Sequence, residues 1–105
     1  MMAWIVLVVS GMFEAVWAIA LGKTEGFSKL VPSIVFAAGL IVSMSGLAYA
    51  MKDISTGTAY AVWVGIGASL TVIYGMAVDG ESISWAKILL LTLLVGCVVG
   101  LKFVE

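Results

Sequence analysis

The residue whose type and place could do chemistry is Glu14. It falls about eleven residues into an unbroken apolar run, whereas Glu25, Asp53, Asp79, Glu81 and Glu105 all fall in polar stretches or at a terminus. At the depth of a bilayer midplane a carboxylate costs at least ~2.5 kcal/mol unless it is protonated or paired. The chain has five lysines, no arginine and no histidine, and no lysine stands in the middle of an apolar run. Desolvation therefore favours the neutral acid until a cation arrives. Reversible binding of a proton or of a cation is the chemistry such a group can do; the plainer alternative is a protonated acid that hydrogen-bonds between helices.

Residues three and four apart share a helix face, so Leu7, Ser10, Gly11, Glu14, Trp17 and Ala18 form one stripe that is small, polar and aromatic. A second aromatic pair, Tyr60 and Trp63, stands three apart in another apolar run. A tyrosine hydroxyl can donate to a carboxylate, and a tryptophan ring can face a planar cation. Ser43, in the middle of a third run, is a further donor for the carboxylate or a small residue that packs helices. Trp4 and Trp85 lie at the ends of runs and read as interfacial anchors.

The elements that must hold these groups follow from composition. Of 105 residues, 64% are hydrophobic and 10% charged, and the mean hydropathy is +1.26, so lipid is the solvent. About 20 apolar residues cross the hydrocarbon as a helix, and the chain divides into four such spans, at about 3–22, 30–51, 57–78 and 83–104. Pro32 is compatible with the first turn of the second span, where its missing N–H costs nothing. The expected architecture is all-α, a single four-helix transmembrane domain. A net charge of −1 offers nothing to neutralise phosphates, which excludes nucleic acid as a partner. With no histidine, no nucleophile and base pair and no ligand cluster, neither enzymatic chemistry nor a metal site is expected, nor any cofactor. The lone cysteine, Cys97, reads as a small packing residue in the fourth span.

Four spans put both termini on one side. Lys52 and Lys102 lie on that side, and Lys23, Lys29 and Lys87 on the other. Lysine bias sets orientation, and this distribution has almost none, which leaves open both a single orientation and a mixed population able to pair antiparallel. Gly65 and Gly67 weaken the third helix at its middle and make it a candidate hinge. Gly96 and Gly100 form a small-xxx-small pair, the pattern of close helix approach, and make the fourth helix the candidate dimer contact.

Three segments together resemble the small multidrug resistance transporters: Gly11 to Leu21 around Glu14 and Trp17, Gly57 to Ala68 with Tyr60, Trp63, Gly65 and Gly67, and the ending Gly100-Leu101-Lys102. The resemblance covers the whole chain. It implies an antiparallel, dual-topology homodimer in a bacterial inner membrane, with two central glutamates that bind either protons or a cationic substrate. Gly11 and Trp17 flanking the glutamate, with Gly-Thr-Ala-Tyr-Ala-Val-Trp at 57–63, look like the guanidinium-exporter subtype rather than the exporters of quaternary ammonium and aromatic cations. By that resemblance Glu14 is the shared proton and substrate site, with Tyr60, Trp63, Ser43 and Trp17 as its shell. Broader quaternary ammonium export, or a place as one half of a heterodimer, are the alternative readings. Two positions depart from the family pattern: Gly22 stands before Lys23 where the lysine usually follows the leucine directly, and Val64 replaces a threonine after Trp63.

Overall fold

The computed structural model describes residues 2–104; the terminal acid Glu105 lies outside the described residues. Four helices follow one another in the described chain, α1 (Met2–Lys23), α2 (Leu30–Ala50), α3 (Thr56–Ala77) and α4 (Trp85–Val104). Each is long and apolar enough to cross a membrane. The 22 residues of α1 rise about 33 Å at 1.5 Å per residue, close to the thickness of a hydrocarbon core.

The helices start and stop where the chain supplies backbone partners. Pro32 sits in the first turn of α2, and the Ser33 amide and hydroxyl both donate to the Lys29 carbonyl (3.3 and 2.6 Å). Helix α4 begins at Trp85, two residues later than the hydropathy suggests, because Ser84 takes the capping position: its hydroxyl accepts from the Lys87 amide at 3.1 Å. The α1–α2 connection is knotted around Thr24, which is buried. Its hydroxyl donates to the Leu21 carbonyl (2.8 Å) and accepts from the Phe27 amide (3.2 Å), while its carbonyl accepts from the Ser28 and Lys29 amides. The turn this closes runs through three successive positive φ angles, at Glu25, Gly26 and Phe27. Only the middle one is glycine, so the knot also holds two side-chain-bearing residues in the left-handed region.

Helix α1 is central. Helices α2 and α3 flank it, and the backbone of α4 approaches α3 alone. The molecule measures 40 × 34 × 17 Å between Cα atoms, about two packed helices deep in its thinnest direction. Its interior lies between α1, α2 and α3, where Ser43 and Trp63 are buried, and α4 stands outside it. None of the described residues of α4 is buried. Cys97, expected to pack, is exposed on it.

What core there is lies at one end. Ala3 and Leu7 of α1, Leu47 and Ala50 of α2, and Ala59, Val62 and Trp63 of α3 form one apolar cluster, sealed by Ile54 from the α2–α3 loop. All belong to the half of the bundle nearest the termini. In a bilayer the hydrophobic effect does not drive helices together, and close contact comes from small residues. That pattern is seen here: a Cβ on Gly11 would stand 2.9 Å from Ile66 and 3.4 Å from the Trp63 carbonyl, and one on Gly39 would stand 3.2 Å from the Trp17 Cβ. A Cβ on Gly46 would collide with the Ser10 hydroxyl.

The packing of α1 on α3 through Gly11 predicts that Gly11→Leu pushes the two helices apart. Overpacking of this kind costs about 1–3 kcal/mol. The purified variant in detergent is expected to melt several degrees below the unsubstituted protein by thermal shift, whereas Gly22→Ala, where a Cβ meets nothing within 4 Å, is expected to melt with it.

Candidate functional site

Glu14 extends from the middle of α1 toward α3. Its carboxylate lies against the backbone of Gly67, where a Cβ would overlap it. The Oε1 atom is buried and has no hydrogen-bond partner. Glycine at 67 is thus what lets a helix backbone pass beside the acid, and the missing partner is the unusual feature. Buried polar atoms are nearly always satisfied, and an orphan calls for an explanation such as a ligand or a functional role. One turn further along α1, the indole Nε1 of Trp17 is the second buried polar atom without a partner among the described residues.

Around this pair stands a chain of rings. Tyr60 and Trp63 have centroids 5.8 Å apart, Trp63 and Trp17 6.5 Å, and Trp17 and Phe36 5.9 Å edge to face. Trp63 is buried, Trp17 half-buried, and Tyr60 is 55% exposed, so the last presents its ring outside the protomer. Trp17 is seated by Gly39 of α2, whose missing side chain makes room for it. These aromatic faces, offset or tilted rather than stacked flat, are favourable arrangements and also surfaces for a cation.

Ser43 is fully buried, and its bonds go elsewhere than to Glu14. Its hydroxyl donates to the Ser10 carbonyl at 2.7 Å and accepts from the Trp63 Nε1 at 2.9 Å. The Ser10 hydroxyl itself turns back to donate to the Val6 carbonyl (2.7 Å), and the Ser10 carbonyl accepts from Ser43 with a lone pair the helix leaves free. Ser43 therefore joins all three helices: α2 carries it, α1 accepts from it and α3 donates to it. Among the described residues it is a long-range hydrogen-bonded chain near the depth of the acid, and it holds the Trp63 indole N–H.

The structure brings Gly11, Glu14, Trp17, Ser43, Trp63 and Gly67 into one region between α1, α2 and α3. Tyr60 joins it through the Trp63 ring. Helix α3 is continuous through Gly65 and Gly67, and both serve close approach, Gly65 to Val98 of α4 and Gly67 to Glu14. Gly96 and Gly100 meet nothing within 4 Å and lie apart from the site. Of the two departures from the family pattern, Val64 packs against the apolar cluster and Gly22 stands at the loop end of α1. Gly39 and the Ser10 carbonyl were not legible as site groups; a glycine opposite a tryptophan and a backbone oxygen carry no sequence signal of their own. No group of three or more histidine, cysteine or acidic side chains able to hold a metal exists among the described residues.

Four apolar helices with an unpartnered acid in their midst define a multi-pass membrane protein with an ionisable intramembrane site, the class to which transporters of protons and cations belong. Within that class the sequence comparison is specific. Residues 2–94 match the model of the Small Multidrug Resistance protein family, and the chain belongs to that family. It is 50% identical over 101 residues to a guanidinium exporter of Proteus vulgaris, covering 96% of this chain and 97% of that one. It is 52% identical to one of Yersinia pseudotuberculosis over the same shares, and 50% identical to one of Citrobacter freundii, covering 96% of each. The family and the four spans place the chain in the bacterial inner membrane.

Removing the Ser43 hydroxyl strands a buried Trp63 donor, which costs about 1–3 kcal/mol. Ser43→Ala is accordingly expected to lower thermal stability and to shift the tryptophan emission; steady-state fluorescence with a melt reads both.

Proposed function

We propose that this protein exports guanidinium and closely related small cations in exchange for protons, both binding in turn at Glu14. The observation that carries the reading is the buried Glu14 oxygen with no hydrogen-bond partner, set against the Gly67 backbone and neighbouring a run of aromatic rings. A carboxylate so placed needs a proton or a cation, and the two compete for the same oxygens. Guanidinium suits it because its N–H groups match a carboxylate in fork geometry and its plane can lie on a tryptophan face. The relatives named as guanidinium exporters, at half identity over nearly full length, support this substrate.

In this reading the working unit is an antiparallel homodimer. The bare flank of one protomer supports it: none of the described residues of α4 is buried and Tyr60 is 55% exposed, and a second copy supplies cover for both. Tyr60, exposed in the protomer, then contributes its hydroxyl to the shared site, and Gly96 and Gly100 on the bare face of α4 form the contact between copies. Gly65 and Gly67 let α3 flex as access passes from one side of the membrane to the other. Protonated Glu14 side chains exchange protons for substrate on the inner side, the loaded dimer reorients, and protons from outside displace the cation. Inward proton flow drives export provided the empty, deprotonated dimer reorients slowly.

Current recorded from liposomes on a solid-supported membrane tests this. Guanidinium is expected to evoke a current that Glu14→Gln abolishes while its elution profile in detergent stays unchanged. Wild-type current from Glu14→Gln would end the reading, and current with a quaternary ammonium cation but not with guanidinium would move the protein to the broader exporters.

A further inference from the structure

The apolar cluster closes the bundle at the end nearest the termini, and the opposite end is built differently. There a cavity of about 290 Å³, its wall half polar and half apolar, separates α1 from α3, with Ala18, Gly22, Lys23, Thr71, Tyr74 and Asp79 among its lining residues. Ala18 lies four residues beyond Glu14 on α1, and Thr71 four beyond Gly67 on α3. One helical turn, about 5.4 Å, therefore separates the inner end of the cleft from the acid and its backbone neighbour. The Thr71 hydroxyl is turned back along α3, donating to the Gly67 carbonyl at 2.7 Å. The cavity between α3 and α4 beside α1, and that between α1 and α2, have nearly all-apolar walls, as befits surfaces that meet lipid. This one combines charged residues at its mouth, a half-polar wall and an inner end one helical turn from Glu14.

One ion pair bridges its mouth. The Lys23 ammonium lies 3.3 Å from the Asp79 carboxylate, joining the end of α1 to the connection between α3 and α4. The same ammonium stands 5.6 Å from the centre of the Tyr74 ring on α3. Both partners are about half exposed, 48% and 42%. Their anchorage is firmer than the bond: the Thr24 knot fixes the backbone next to Lys23, and the Asp79 amide donates to the Gly75 carbonyl at 3.1 Å. Glu81, also in the wall, has its carboxylate against Gly75, where a Cβ would strike it, and pairs with Lys87 at 3.7 Å.

We infer that the Lys23–Asp79 ion pair is the latch of a water-side door between α1 and α3, and that its parting opens the cleft to Glu14. The inference rests on Glu14 being the cation and proton site, and it deepens that reading by naming what holds the path shut. An exposed pair suits a latch because it is weak, so it biases the closed arrangement by a factor of no more than about five and parts in every cycle. A buried pair would hold the door too firmly to work.

The test is solvent access to the inner end of the cleft, measured in full-length protein in liposomes. With exposed Cys97 replaced by serine, Ala18→Cys reports on that depth, and Thr71→Cys repeats the measurement from the facing helix should the first variant fold poorly. Lys23→Gln and Asp79→Asn change the local charge in opposite directions. A latch requires both to raise the labelling rate about threefold to fivefold with a cationic and with an anionic methanethiosulfonate reagent, and requires the exchanged pair Lys23→Asp with Asp79→Lys to restore the original rate. Opposite changes from the two neutral variants would mean that the residues act only through their field on the reagent, and unchanged rates would mean that the cleft is not latched; either overturns the inference. Because labelling involves no guanidinium, absence of guanidinium current alongside latched labelling would count against the exporter reading alone.

Discussion

Everything in this fold is arranged around the difficulty of keeping a carboxylate in hydrocarbon. Water cannot solvate Glu14 at midplane, and the chain supplies no basic side chain at that depth. The protein answers with backbone proximity instead of charge: glycines at 11 and 67 bring α3 close to α1, and the acid rests beside the Gly67 main chain. Its oxygen is nevertheless left without a hydrogen-bond donor. In the proposed function, that incomplete satisfaction is what leaves the acid open to a proton or a cation.

The rest of the packing divides according to that need. Around Glu14 the structure is held by directed bonds, of which the Trp63, Ser43 and Ser10 chain is the central one because it crosses all three helices. At the end near the termini it is held by apolar fit. At the other end it is held by exposed ion pairs and a hydrogen-bonded turn, interactions that water weakens and that separate readily. The packing thus grades from firm at the end near the termini to loose beside Lys23 and Asp79.

Such a small membrane protein also illustrates why a thin protomer is viable. In water, a row of helices 17 Å thick would expose its apolar faces and aggregate; in lipid, exposed Leu89, Leu90 and Leu93 of α4 meet a solvent as apolar as themselves. Association must then come from small residues and polar bonds, and the tight glycine contacts at 11, 39 and 46 are its instruments within the protomer.

Much of this was legible in the chain itself. Four spans, their all-helical state and the singular position of Glu14 follow from hydropathy and from the price of charge in lipid, which are properties of residue type and order. So does the stripe that puts Gly11, Glu14 and Trp17 on one face, because helical periodicity is local. What the chain could not announce is which partner each group takes. Ser43 looked like a donor for the carboxylate, and only the crossing of α1 by α2 gives its proton to the Ser10 carbonyl and its lone pair to Trp63. Gly67 looked like a flexible point in α3, and only the approach of α1 makes it the wall beside the acid. Lys23 and Asp79 stand 56 positions apart, and nothing but the parallel course of α1 and α3 brings them to one cleft. Residue type determines what a side chain can bond, and the angle and distance between helices decide which of those bonds is made.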